Sequence, residues 1–463
     1  MLRRLFAPGQ LNTSDRNARN LYFEVFWASI LTAAAAFNAP FALRLGASNA
    51  EIGLLSSIPA LLAILITLPS GQFFSRRSRR LPWIVGSLFI YRLGFLIVAM
   101  IAWLPVANRG TVLIWLLIAF AIPAHFFGVG WSSMMADVVT EAKRSEVFAA
   151  RNILVAIAVT LGTLGAGRWL ERIRFPVNYQ TLYFVGFLAS MVSIWYILRL
   201  EVPDSPVRPQ TRADQGLRSL IASSRAALAS EPDFLRLVVN TFAHGVGLWL
   251  VGPLYVLYYV RSLGAAEGWL GLNAMVGSLT PILGFYIWQR VIQRRGENPI
   301  LILAIGVVGL YPILVGLTPT LWLIPVWTAL SGLVSPGVTL SHYPMLLKIC
   351  PEGERPKYLG IYTMLMNVGA FIMPLLGVYL ADRFGLRPVL VAGGIVCLFG
   401  SSSFRFRPLM TPDSLAVRQA EFGGKRGGPH RGGGMISTIG RARPGYFRRQ
   451  LARLRVKVRR TRI

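Results

Sequence analysis

The chain has 463 residues and is 54% hydrophobic and only 14% charged, yet it carries a formal net charge of +29. A soluble protein devotes roughly a quarter of its residues to charge. Here the charges must therefore be clustered, which excludes an ordinary soluble domain and points to a chain that crosses a membrane many times.

The first twenty residues are polar, with Arg3, Arg4, Asp15, Arg16 and Arg19. No small-residue cleavage site follows the first apolar run, so a retained cytoplasmic segment over 1–20 is expected rather than a signal peptide. A span needs about 20 mostly apolar residues. Stretches of that kind run over Leu21–Leu45, Glu51–Phe74, Pro82–Leu104, Val112–Val139, Val147–Leu170 and Leu182–Leu200. After a long polar connection come Phe234–Val260, Gly268–Trp288, Ile300–Leu317, Trp322–Leu346, Leu359–Leu380 and Pro388–Ser402. The expected organisation is an N-terminal six-helix bundle over 21–200, a linker over 201–233, a C-terminal six-helix bundle over 234–402 and a basic tail over 403–463.

Taking alternate connections, one side of the membrane collects roughly 20 Lys and Arg and the other about six, so the positive-inside rule places both termini and the linker in the cytoplasm. The halves also repeat. "TEAKRSEVFAARN" (Thr140–Asn152) lines up with "PEGERPKYLGIYT" (Pro351–Thr363) at an offset of 211, which also brings Glu171–Arg172 onto Asp382–Arg383. "LGASNAEIGL" (Leu45–Leu54) lines up with "LGAAEGWLGL" (Leu263–Leu272) at an offset of 218. Parallel repeats of six helices imply a pseudo-twofold axis along the membrane normal.

The stretch "LPSGQFFSRRSRRLPW" (Leu68–Trp83) places a basic knot between the second and third spans. Six plus six helices, a long central linker and parallel halves resemble the major facilitator superfamily over Leu21–Ser402. That family's loop between helices 2 and 3 reads roughly G-x-x-x-D-R-x-G-R-R. Gly71, Arg76, Arg79 and Arg80 match it, while Ser75 and Ser78 replace the aspartate and the second glycine. The resemblance implies an all-α membrane protein of twelve transmembrane helices in two pseudo-symmetric bundles. It also implies a gating loop that braces the outward-open state, with Asp137 at the end of helix 4 as the partner of Arg79. Gly71 would let helix 2 approach a neighbour closely. The competing reading, that these arginines only anchor the loop in the cytoplasm, is compatible with the first.

Ionisable groups inside spans are costly and usually face the bundle interior or a watery cavity. In the family, helices 1, 4, 7 and 10 line a central cavity, and three of the four histidines fall on them: His125, His244 and His342. Each is a candidate for substrate or proton binding, or else a packing residue hydrogen-bonded to a neighbouring helix. Glu24, read as lying in the first turn of helix 1, is a proton-site candidate or a charge at the interface. Arg92 lies well inside the third span and needs an interior partner. Asn38 and Asn240 complete the set, with Asn273 and Asn367 behind them. Two family patterns are missing, the R-x-x-Q-G-x-G of helix 4 and the Gly-Pro ending of helix 5 in drug/proton antiporters.

The tail from Arg405 holds 16 Lys and Arg against two acids. Phe447, Leu451, Leu454 and Val458 there form one helical stripe, suited to anionic lipid; a solvated tail is the other reading. No P-loop, nucleophile–base pair or metal cluster stands out, so catalysis, cofactors and metals are not expected. The function expected is secondary active transport of a small molecule by alternating access, export slightly favoured over uptake, with proton coupling as an option. A transport-inactive receptor or scaffold on the same fold is the alternative. A monomer in the inner (plasma) membrane, contacting no nucleic acid, completes the expectation.

Overall fold

A computed structural model of the chain describes residues 12–203, 225–351 and 354–406. The described residues contain twelve helices long and apolar enough to span a bilayer. In the first half these are α1 (Thr13–Arg44), α2 (Asn49–Ser75), α3 (Leu81–Trp103), α4 (Arg109–Val138), α5 (Glu141–Arg172) and α6 (Val177–Leu198). In the second they are α7 (Pro232–Ser262), α8 (Glu267–Arg295), α9 (Glu297–Leu317), α10 (Leu321–Ile349), α11 (Arg355–Phe384) and α12 (Leu386–Phe406). The basic stripe of the tail and the middle of the linker lie outside the described residues.

Each half packs by one plan. α1 lies against α5 and α6, α3 against α4 and α6, and α2 against α4. The second half repeats this with α7 against α11 and α12, α9 against α10 and α12, and α8 against α10. The halves meet where α2 packs on α11 and α5 on α8. The two central helices, α1 and α7, are both interrupted in their last third, at Ala36–Phe37 and at Gly252–Pro253. The turns that follow carry equivalent glycines in the left-handed region, Gly46 (φ 89°) and Gly264 (φ 65°), where a side chain would be strained.

The two seams between the halves are built from equivalent residues. A Cβ on Gly271 would stand 3.0 Å from the Gly167 Cα and 2.6 Å from the Thr163 carbonyl oxygen. A Cβ on Gly53 would stand 3.1 Å from Val378 and 3.7 Å from the Pro374 carbonyl oxygen. The sequence offsets carry Gly53 onto Gly271, Gly167 onto Val378 and Thr163 onto Pro374, so the loop repeats and the helix seams report one symmetry. The α5–α8 seam is the tighter, because both helices offer glycine and their backbones touch.

Several helices begin earlier than apolar content suggests. α1 starts at Thr13, not Leu21, with Asn12 as its cap, its Oδ1 accepting from the Asp15 N–H at 2.8 Å. Residues 13–20 are polar because they bind protein rather than lipid. Asn17 exchanges hydrogen bonds with the Glu201 backbone (Nδ2 to O 2.9 Å, N to Oδ1 3.0 Å), and Asn20 donates to the Arg199 carbonyl at 3.2 Å. The expected separate segment 1–20 is thus part of the bundle from Thr13 onward. α5 likewise starts at Glu141 rather than Val147, and α12 runs to Phe406 rather than Ser402.

Candidate functional site

The end of the bundle opposite the basic connections is closed by polar contacts between the halves. Arg44 grips Glu267 with both Nε and Nη2, the latter at 2.8 Å, and Tyr179 donates to the same carboxylate at 3.3 Å. Asn49 donates to Asp382 at 2.5 Å, and Arg261 to the Ala47 carbonyl at 2.7 Å. Beneath them lies an aromatic core in which Phe41 stacks on Tyr179 with ring centroids 4.4 Å apart.

At the basic end, the loop after α2 is ordered by its own arginines. Arg80 donates from Nε to the Phe74 carbonyl at 3.1 Å, capping α2, and pairs through Nη1 with Asp137 at 3.4 Å. Arg77 lies over the Phe73 ring at 3.5 Å and the Trp83 ring at 4.6 Å. Arg79, read from sequence as the partner of Asp137, is exposed and lies with Arg80 and Asp137 on one cleft, and Arg76 is exposed too. Gly71 is a correction: nothing lies within 4 Å of where its Cβ would be, so no close helix approach explains it in this conformation. A cleft of about 1050 Å³ opens here, lined by Asn17, Arg79, Arg80, Asp137, Thr140 and Glu201 among others.

Within the C-terminal half a cavity of about 600 Å³ is walled by Thr241, Trp249, His342, Tyr362 and Asn367, with apolar residues from α9 and α10. Thr241 Oγ1 and His342 Nε2 are 2.8 Å apart, Tyr362 shares a hydrogen bond with Thr241, and the His342 and Tyr362 rings lie 5.8 Å apart. These groups are neutral or weakly basic, so the wall combines aromatic surface with a few directed hydrogen bonds, the usual make-up of a small-molecule pocket. α7 and α10 contribute, as expected; the other walls come from α9, α11 and α12 rather than from α1 and α4.

The histidines separate. His342 faces this cavity. His244 also borders it, but its Nδ1 is turned to α12, 3.2 Å from both the Cys397 carbonyl and the Ser401 hydroxyl. That ring is only 6% exposed and braces α7 against α12. His125 lies elsewhere, on α4 with the Pro59 carbonyl of α2 as its partner. A carbonyl oxygen has two lone pairs, so it can take this bond beside its place in the helical ladder, and the contact ties α4 to α2. Asn38 accepts from the Tyr183 hydroxyl at 2.8 Å, and Asn240 is fully buried on α7. Asn273 accepts from Thr328 at 2.9 Å, ending a chain that runs through Tyr311 to Tyr259.

In the N-terminal half the structure supplies the partner that Arg92 required. Arg92 donates to the Ser190 carbonyl and, at 3.0 Å, to the Ser193 hydroxyl. Ser193 donates to Glu24 Oε1 at 3.1 Å, and Arg151 closes the chain on Glu24 Oε2 at 2.7 Å. Glu24 is therefore not in the first turn of its helix. It sits three turns in, beside an arginine halfway along α3, at mid-depth. Arg151 was missed because hydropathy starts the fifth span at Val147, which puts this arginine near its end; the helix begins at Glu141 and carries it inside.

Two pseudo-symmetric six-helix bundles around internal polar sites define a membrane transporter fold. The family model for the Major Facilitator Superfamily matches residues 22–236 and 237–457, and the chain belongs to that superfamily. Among curated relatives it is 26% identical over 209 residues to the multidrug resistance protein MdtG of Yersinia enterocolitica, covering 42% of this chain and 50% of that protein. It is 26% identical over 192 residues to MdtG of Escherichia coli, covering 39% and 47%. The chain thus spans about half the length of the curated relatives it matches. Among solved structures, the nucleoside transporter NupG superposes with a TM-score of 0.65 at 13% identity, covering 84% of this chain and 99% of that one. A bacterial homolog of the human lysosomal transporter Spinster, in an inward-facing and unoccupied conformation, gives 0.61 at 14% identity, covering 87% and 100%. At such identity these likenesses speak to the fold alone.

Proposed function

We propose that this chain is a secondary transporter that carries a small organic molecule across the inner membrane by alternating access. The observation that carries the reading is the asymmetry of closure. Glycine seams and a polar latch join the halves at the end away from the basic loops, while the C-terminal half keeps a cavity of about 600 Å³. With the basic connections in the cytoplasm, this is a conformation closed to the outside. Transport then requires the Arg44–Glu267 and Asn49–Asp382 contacts to break and the halves to rock about their seams. The Arg80–Asp137 pair braces the opposite end.

The substrate binds against Trp249, His342, Tyr362 and Asn367. Export is favoured over uptake, in line with the multidrug resistance relatives. Glu24 supplies a mid-depth carboxylate that can take a proton when a bound anion offsets the arginines beside it, so proton coupling belongs to the same reading.

The test is access to one residue from both faces. In a background lacking Cys350 and Cys397, His342→Cys should react with an impermeant maleimide from the cytoplasmic side and also from the outer side. Cross-linking Asn49→Cys to Asp382→Cys should abolish outer labelling, and reductant should restore it. Labelling from one face only, with or without the cross-link, would leave a receptor or scaffold that does not alternate.

A further inference from the structure

The membrane interior of the N-terminal half holds more positive charge than its own carboxylate balances. Glu24 and Arg92 are each 4% exposed, and the Arg151 side chain is 12% exposed. Both guanidiniums stay charged at any working pH, so one carboxylate faces two cations. Among the described residues, the other charged groups on the surrounding helices stand toward the helix ends, and the acid nearest Arg151 along α5 is Glu146, toward the basic end. An uncompensated charge at such a place is strongly unfavourable, and intramembrane charges of this kind mark functional sites.

The two arginines are not equally engaged. Arg92 is held by the Ser190 carbonyl and the Ser193 hydroxyl. Arg151 has Glu24 on Nη2, but among the described residues Nη1 meets only the Met135 sulfur at 4.0 Å and its buried Nε has no hydrogen-bond partner. Its guanidinium also lies 5.0 Å from the centre of the Trp131 ring. Glu24 meets Arg151 through Nη2 alone, its other oxygen facing Ser193, so these donors are not turned to the carboxylate.

We propose that the N-terminal half contains an oxyanion-binding site centred on Arg151, and that its occupant is the acid group of an organic solute whose apolar body lies along Trp131. The spare Arg151 donors bind the oxyanion, and the incoming negative charge balances the second guanidinium. Arg92 is a positioning residue that fixes Glu24 through Ser193. This site is separate from the cavity at His342. It deepens the transporter reading by naming an acidic solute, and it is tested by binding, without transport.

The experiment uses the full chain purified in detergent at fixed chloride concentration. Phenylphosphonate, inorganic phosphate, benzyl alcohol and benzylammonium are the probes, and melting temperature and tryptophan fluorescence are the readouts. Phenylphosphonate is expected to raise the melting temperature and change the fluorescence, and the other three to do neither. Arg151→Gln, which leaves Glu24 facing Arg92 alone, should weaken phenylphosphonate binding at least about tenfold. Arg151→Lys, which keeps the charge but removes Nε, should weaken it less, and covers a glutamine variant that fails to fold. Trp131→Phe should remove the fluorescence change, and Lys348→Gln, a surface control, should change neither readout. An equal response to inorganic phosphate would overturn the organic solute. No response to phenylphosphonate, a response unaltered by both Arg151 variants, or an equal response to benzylammonium would overturn the site itself. The two-face labelling of His342→Cys is independent of these outcomes, so either proposal can fail alone.

Discussion

Arg44 and Glu267 form a two-point ion pair between the halves, with Tyr179 as a third contact on the same carboxylate. The Glu267 side chain is only 7% exposed whereas that of Arg44 is 45% exposed, so the pair is half-desolvated and its geometry matters more than its charge. Arg44→Gln should leave Glu267 under-partnered and loosen this end. The expected result is a several-fold lower yield of the Asn49→Cys/Asp382→Cys cross-link. Arg44→Lys, which keeps the charge but not the fork, should fall between.

The α5–α8 seam gives a steric counterpart. Gly271→Leu would drive a side chain into the Thr163 carbonyl and the Gly167 backbone, and the helices would have to separate. The variant should cross-link poorly at Asn49/Asp382 and label more readily from the outer face at His342→Cys. Gly71→Leu, where space is open, should change neither measurement by comparison.

Removing the buried carboxylate should cost more than removing its partner. Glu24→Gln strands two guanidiniums and should destabilise the fold by about 3–5 kcal/mol, read as a lowered melting temperature in detergent. Arg151→Gln leaves one charge pair and should cost much less. Glu24→Gln combined with Arg151→Gln should be more stable than Glu24→Gln alone. Simple additivity of the two substitutions would mean that they do not share a network.

His244 and His342 should part company. His244→Ala removes the hydrogen bond between α7 and α12 and leaves a void in a buried contact, costing about 1–3 kcal/mol. It should lower the melting temperature. His342→Ala should leave the melting temperature nearly unchanged and weaken binding of substrate, once a thermal-shift screen of metabolites and drugs has supplied one.

At the basic end, Arg80→Asp and Asp137→Arg should each impair transport if the loop braces the opposite conformation. The double exchange should then recover a substantial part of the activity. No recovery, with both proteins well expressed, would leave Arg80 as a cap on α2 and an anchor only.

Much of the fold is legible in the chain itself. Twelve apolar stretches with turns between them, loop charges unequal by side, and two repeated loop segments together require a paired six-helix bundle, because a bilayer admits few other ways to satisfy the backbone. The repeats even anticipate that Gly53 and Gly271 occupy equivalent seams. The first turns of α1 and α5 are not legible, because their polar residues resemble loop to any reading based on hydropathy, and in α1 they bond protein backbone.

The sequence by itself determined that the chain crosses the membrane repeatedly, where its pseudo-symmetry lies and that Arg92 and three histidines lie within its apolar spans. These follow from composition and spacing, which are local properties. Only the tertiary structure decided how those residues combine. It brought Glu24, Arg92 and Arg151 together from three helices, turned His244 into a brace while leaving His342 on a cavity, and set Arg80 against Asp137. Such pairings depend on which faces of distant helices meet and at what height, and in a chain of repeated apolar helices nothing local records that.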